Sequence, residues 1–182
     1  MQNDESKLIA DLKEESKKEF AFERLVKLYQ ERLYHHIRKM VINHEDTDDI
    51  LQNTFIKVWK GIDTFRGDSS LYTWLYRIAT NESITFLNSK KNRNILPVND
   101  VTDYLMDNLK ADPYFEGDQI QMKLQEAIIK LPEKQRIVFN MRYYDEMKYD
   151  DMSEILNTSV GALKASYHHA AKKIEQYIKS SD

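Results

Sequence analysis

The sequence has no cysteine, only four glycines and only three prolines in 182 residues. Without thiols there is no disulfide scaffold, no thiol nucleophile, no iron–sulfur cluster and no Cys-ligated zinc. So few glycines and prolines cannot punctuate the many hairpins of a β-sandwich or barrel. No apolar run approaches the roughly 18 residues of a membrane span. The opening residues, MQNDESK, contain no apolar signal core, so the expectation is a soluble, cytoplasmic protein. A strong charge of one sign is missing too: the formal net charge is −3, and the total gives no hint of nucleic-acid binding.

What is present is apolar and charged residues in helical alternation, with 41% hydrophobic and 31% charged side chains. Phe22, Leu25, Val26, Tyr29, Leu33, Ile37, Met40 and Val41 step by three or four and mark one face of a helix of about five turns. Further amphipathic stretches run from Ser6 to Leu12, from Glu45 to Lys60 before Gly61, and from Leu71 to Lys91. Between residues 94 and 117 the pattern breaks. Pro97 and Pro113 stand there with five acids and the single base Lys110, the composition of an acidic linker with one helical turn around Tyr104 to Leu109. Beyond it, Ile120, Leu124, Ala127, Ile128 and Leu131 form another helix face, and Pro132 suits the first turn of the next helix because its missing N–H is an orphan there anyway. The expected architecture is all-α: residues 1–93 and 118–182 form two small helical domains joined by an extended acidic linker.

Three surfaces could carry function. In the first, Glu45, Asp46, Asp48 and Asp49 place four acids within five positions, and Asp46, Asp49, Gln52 and Asn53 share a stripe. Acids at a helix N-terminus favour the macrodipole without any function. Acids packed this densely also repel one another and would welcome a basic partner, so both readings stand.

The second surface follows the loop IDTFRGDSS. Trp74 is in register with Leu71, Leu75 and Ile78 and reads as core, whereas Tyr72 and Tyr76 lie off that stripe and Thr73, Arg77 and Asn81 form an outward row. Arg66, Arg77, Lys90, Lys91 and Arg93 outnumber Asp68 and Glu82. Basic residues interleaved with outward rings suit a single DNA strand, where bases stack and the backbone follows the charge; a plain amphipathic helix has equal weight.

The third surface has the proportions of a helix-turn-helix: Tyr149 to Leu156, a turn at Asn157, Thr158 and Ser159, then a long helix from Val160 to about Ile178. Val160, Leu163, Tyr167, Ala170, Ile174 and Ile178 would face inward. Gly161, Ala162, Lys164, Ala165, His168 and Lys172 would face out, with Ser159 or Asn157 capping the start. Small residues beside a lysine let a helix N-terminus approach a groove and its phosphates, although an ordinary helical hairpin with a basic face would read the same way. The five histidines, His35, His36, His44, His168 and His169, show no i, i+4 ligand spacing. No metal or cofactor site and no catalytic constellation is expected. On these residues alone, a helix-turn-helix repressor or activator with a sensor or dimerisation unit, and a helical adaptor with acidic faces, remain rivals to any promoter-directing role.

The order of these pieces resembles the bacterial sigma factors of the extracytoplasmic-function type. DTDDILQNTFIKVW is similar to the core-polymerase signature of region 2.2, FRGDSSLYTWLYRIATN to regions 2.3 and 2.4, and LPEKQRIVFNMRYYDEMKYDDMSEILNTSVGALKASYHHAAKKI to region 4. The resemblance implies a transcription initiation factor that is not an enzyme, with core RNA polymerase and promoter DNA as partners. It implies that Asp46, Asp48, Asp49, Gln52 and Asn53 dock on the polymerase. It further implies that Phe65, Arg66, Ser69, Ser70, Tyr72, Arg77, Asn81, Lys90 and Lys91 serve the minus-ten element. Ser159, Gly161, Ala162, Lys164, Ala165, His168 and Lys172 would serve the minus-thirty-five element. An anti-sigma factor, often membrane-bound in this group, is a further implied partner. One departure stands out: three arginines customary in the recognition helix are replaced by Ser166, His169 and Ala171, which predicts weak, low-charge upstream binding.

Overall fold

The computed structural model describes residues 2–92, 101–113, 115 and 117–180, and the side chains among them from residue 4 to residue 90 in the first stretch. In agreement with the all-α expectation, these residues form α1 (Gln2–Lys13), α2 (Lys18–Val41), α3 (His44–Gly61), a 3-10 turn (Ile62–Thr64), α4 (Leu71–Asn92), α5 (Val101–Ala111), α6 (Gln119–Ile129), α7 (Glu133–Tyr143), α8 (Tyr149–Leu156) and α9 (Val160–Ser180). The described residues include no strand.

The first domain is built on α2, whose residues Leu25, Leu33, Ile37, Met40 and Val41 are buried against α1, α3 and α4. Ile42 ends that helix in the left-handed region at φ 66°, where its amide bonds the Arg38 carbonyl. A β-branched residue is strained there, and the buried side chain of Ile42 is what the conformation secures. Asn43 then caps α3, its side chain accepting from the Asp46 amide at 3.0 Å. From α1, Glu5 reaches the first turn of α4 and accepts from the Leu71 amide at 2.9 Å. Lys13 donates to the Phe65 carbonyl at 2.6 Å, so the N-terminal helix pins the loop before α4 at both ends.

The linker departs from an extended chain. Residues 101–111 form three turns of helix, α5, with Val101, Leu105 and Leu109 buried in an apolar cluster shared by both domains, between α4 and α6. The spacing of these three apolar residues is helical; the surrounding acids made the segment read as solvated. The linker expectation at Pro97 lies outside the described residues.

In the second domain α9 packs on α6, α7 and α8 around Ala127, Ile128, Leu131, Phe139, Ala170 and Ile174. Pro132 stands at the N-cap of α7, one position before the expected first turn, and its carbonyl accepts from the Arg136 amide. Asn157 closes α8 in the left-handed region at φ 49°. Ser159 caps the next helix, accepting from the Ala162 amide at 3.3 Å.

The two domains also pack directly on one another, α4 against α8 and α2 against α7. A single apolar cluster runs through the seam, from Tyr76 and Leu87 on α4 to Met152 and Ile155 on α8. Periodicity within each helix carries no information about this packing.

Candidate nucleic-acid interface and docking surface

On α3, Asp48, Asp49, Gln52 and Asn53 are exposed on one side. Asp46 is not in the same condition. It accepts a hydrogen bond from the Tyr104 hydroxyl of α5 and lies 3.8 Å from the Lys90 ammonium, so the linker helix partly covers this acid. Burial, reinforced by that carboxylate, pushes the Tyr104 phenol up to about 12. Ile56, one turn beyond Gln52 and Asn53, is 44% exposed. Its spacing of i+4 from the polar stripe is visible in the sequence but carries no signal there, because a lone exposed isoleucine is common on any protein surface.

The second surface divides. Arg66 and Ser70 are exposed in the loop, whereas Phe65 is 5% exposed and its ring lies 5.0 Å from that of Trp74. Phe65 is thus a core wedge that sets the loop's shape, and an outward role for its ring needs correction. Ser70 caps α4: its hydroxyl oxygen accepts from the Thr73 amide at 3.1 Å. Ser69 is half-buried beside it. Thr73, expected outward, is buried at 1% exposure and hydrogen-bonded to Ser70. Tyr76 is likewise buried rather than outward. Its ring centroid is 4.3 Å from that of Tyr72 and 4.9 Å from that of His36. Burial raises both phenols, Tyr72 to about 12 and Tyr76 further still; both rings stay neutral in water. Arg77 is half-buried with its Nε lacking a hydrogen-bond partner among the described residues, while Asn81 is exposed. Arg77, Asn81 and Ile84 line a cleft whose other wall is Glu154, Ile155, Leu156 and Asn157. The Lys90 ammonium sits 4.8 Å from the Phe86 ring and 5.3 Å from that of Tyr104. The Lys91 side chain lies outside the described residues.

The third surface is open. Ser159, Gly161, Ala162, Lys164, Ala165, His168 and Lys172 are all exposed. Leu163, Ala170 and Ile174 anchor the opposite side of α9. The half-buried Tyr167 stacks on Phe139 at 5.6 Å, fixing the rotation of the helix about its axis. The N-terminal turn of α9 therefore presents backbone and small side chains with Lys164 beside them, a geometry that admits close approach to a phosphate. Its Lys164 ammonium lies 5.7 Å from the Tyr149 ring of α8. Asp145, between α7 and α8, lies outside all three surfaces, and no pattern in the sequence marks it.

Comparison with known proteins bears on both domains. The Sigma-70 region 2 family model matches residues 25–93 and the Sigma-70, region 4 model matches residues 121–174. The chain is 29% identical over 167 residues to the ECF RNA polymerase sigma factor SigW of Bacillus subtilis, covering 87% of this chain and 89% of that one. It is 30% identical over 166 residues to the ECF RNA polymerase sigma-E factor of Haemophilus influenzae, covering 87% of each. In fold it is similar to CnrH, solved in complex with the cytosolic domain of CnrY, with a TM-score of 0.71 at 21% identity over 98% of this chain and 99% of that chain. It is also similar to the sigma factor RpoE of Bartonella quintana, solved with the anti-sigma factor NepR, with a TM-score of 0.67 at 19% identity over 87% and 96% of the two chains.

Proposed function

The chain belongs to the ECF RNA polymerase sigma factors, and on that premise we propose how its three surfaces share the work of transcription initiation. Proteins of this family bind core RNA polymerase and direct it to a promoter class; this one is an initiation factor and not an enzyme. The observation that carries the reading is that two sigma-70 regions occur in family order in one all-helical chain. A repressor would have a sensor or dimerisation unit where region 2 stands, so that rival loses its ground.

Asp48, Asp49, Gln52 and Asn53 on α3 meet a basic and polar surface of the polymerase, with Ile56 as the apolar contact at the end of the stripe. Charge complementarity there sets encounter rate and register more than raw affinity. Asp46 joins them when Tyr104 and Lys90 release it. On α4, Arg66, Ser69 and Ser70 of the loop receive a base extruded from the minus-ten element while Tyr72, Arg77, Asn81, Lys90 and Lys91 follow the adjacent strand. Extrusion costs a few kcal/mol, which pocket contacts offset. Phe65 supports that loop from beneath. On α9, Ser159, Gly161, Ala162, Lys164, Ala165, His168 and Lys172 enter the groove of the minus-thirty-five element. The protein acts in the cytoplasm, and an anti-sigma factor holds it inactive until a signal arrives.

The test is run-off transcription with purified core polymerase and a library of promoter fragments. Specific initiation that depends on this chain supports the reading; DNA binding without any initiation sinks it.

A further inference from the structure

The part of α4 assigned to the minus-ten strand is partly covered by the second domain of the same chain. Asp145, on the link between α7 and α8, accepts hydrogen bonds from His36 Nδ1 at 2.7 Å and from Lys39 Nζ at 2.7 Å, both on α2. His36 Nε2 is 2.9 Å from the Thr80 hydroxyl of α4, and that hydroxyl donates to the Tyr76 carbonyl at 2.7 Å. Two donors on α2 thus converge on one nearly buried carboxylate of the other domain. Beside this group the Asn140 amide of α7 donates to the Lys39 carbonyl at 3.1 Å. On the α8 side, Met152 and Ile155 bury themselves in the cluster that contains Tyr76. The negative charges of Asp145 and Asp151 add to burial in holding the Tyr72 phenol above its ordinary value. The rest of α8 forms the second wall of the Arg77 and Asn81 cleft.

We propose that region 4 of this chain is the resident occupant of its own minus-ten surface: the free protein rests closed, and Asp145 is the latch. The inference rests on the assignment of α4 to the minus-ten strand. A promoter strand and α8 cannot both lie against Tyr72, Tyr76 and Arg77, so binding the strand and closing the chain are mutually exclusive. The closure joins the polar group around Asp145 to an apolar cluster shared by both domains, and relative motion of domains within a chain is the general expectation for such an interface. It is also imperfect, since the closed form leaves Arg77 Nε without a partner among the described residues, and a phosphate oxygen would supply one. Closure lowers apparent affinity for any partner of the open form in proportion to the open fraction.

The absence of cysteine makes a direct test simple. Ile84→Cys and Glu154→Cys, placed on the two walls of the cleft, are treated with a short bis-maleimide in the full-length protein. Intramolecular cross-linking in the free chain that falls several-fold on addition of core polymerase supports closure. Cross-linking no faster than that of a control pair at Glu154 and Lys27, of which only Glu154 lines the cleft, overturns it. Asp145→Ala in the same background should reduce cross-linking several-fold. It should also strengthen binding of a fluorescent single-stranded oligonucleotide to the polymerase-free chain by about tenfold, and unchanged values of both remove Asp145 as the latch. If circular dichroism shows Asp145→Ala unfolded, Asp145→Asn, which keeps one accepting oxygen, provides the same readings. Run-off activity separates the two ideas: transcription without cross-linking refutes closure alone, and cross-linking without transcription refutes the minus-ten assignment on which it rests.

Discussion

Two helices of this protein carry surfaces assigned to promoter DNA, and they are in opposite conditions. The outer side of α9 is open from Ser159 to Lys172, while that of α4 lies half under α8, with Tyr76 and Thr73 buried and Arg77 half-buried. Both faces look equally outward by spacing, because helical periodicity separates an apolar stripe from the remainder but does not report what lies against the remainder. The difference teaches that access to the proposed minus-ten surface is a property of the whole chain, while access to the proposed upstream surface belongs to one domain.

The strongest way to break this comparison is to remove the function both helices serve. Asp49→Lys should abolish co-purification with core polymerase, since it reverses a charge at the centre of the exposed α3 stripe. Promoter initiation would be lost with it, leaving the α4 and α9 faces unused. Next, Asn81→Ala should leave polymerase binding intact and impair open-complex formation, measured by permanganate reactivity of the melted strand. Loss of polymerase binding by Asn81→Ala with full binding by Asp49→Lys would reverse the assignment of the two surfaces.

A smaller effect sharpens the open side. Ser166→Arg, His169→Arg and Ala171→Arg together should steepen the dependence of upstream-element affinity on salt by about 0.9 in log–log slope for each additional phosphate the arginines neutralise. An unchanged slope, measured by anisotropy of the holoenzyme on an upstream fragment, would mean that α9 does not approach the backbone at those positions.

The closed side has a pH signature. Burial alone would raise the Asp145 carboxyl, but hydrogen bonds from His36 and Lys39 outweigh it and hold it below the usual carboxylate range. A depressed carboxylate contributes stability in full above its unfolded value of about 3.9, and loses it as pH falls through the lower folded value. Cross-linking between α4 and α8 should therefore fade on acidification below the ordinary carboxylate range in the native chain. In Asp145→Asn it should lose that dependence. Least in size, Tyr104→Phe should lower stability by about 1 kcal/mol in urea, because Asp46 loses one hydrogen bond and keeps Lys90; no change would show that α5 is held by its apolar side alone.

Much of the second domain is legible in the sequence. Tyr149 to Leu156, the turn at Asn157 and the start at Val160 fall where the spacing places them, since each boundary is marked by a local event: an αL residue, a hydroxyl cap, a change of phase. The linker helix is harder. Val101, Leu105 and Leu109 are spaced as one face, yet acids between them suggest solvent, and only the packing of α5 on α4 and α6 shows where that face goes. Phe65, expected in a binding loop, is a packing residue because Trp74 lies beneath it, a neighbour nine positions away whose approach depends on the turn between them.

The sequence alone determined that this chain is helical, that it has two domains, and which sigma regions they resemble, because these are written in periodicity, capping residues and short motifs, all local along the chain. Only the tertiary structure decided that the domains meet, that Asp145 reaches His36 across 109 positions, and that the outer side of α4 is half covered while that of α9 is open. Those outcomes depend on which surfaces bury each other, and a pairing between distant segments leaves no mark in the spacing of either.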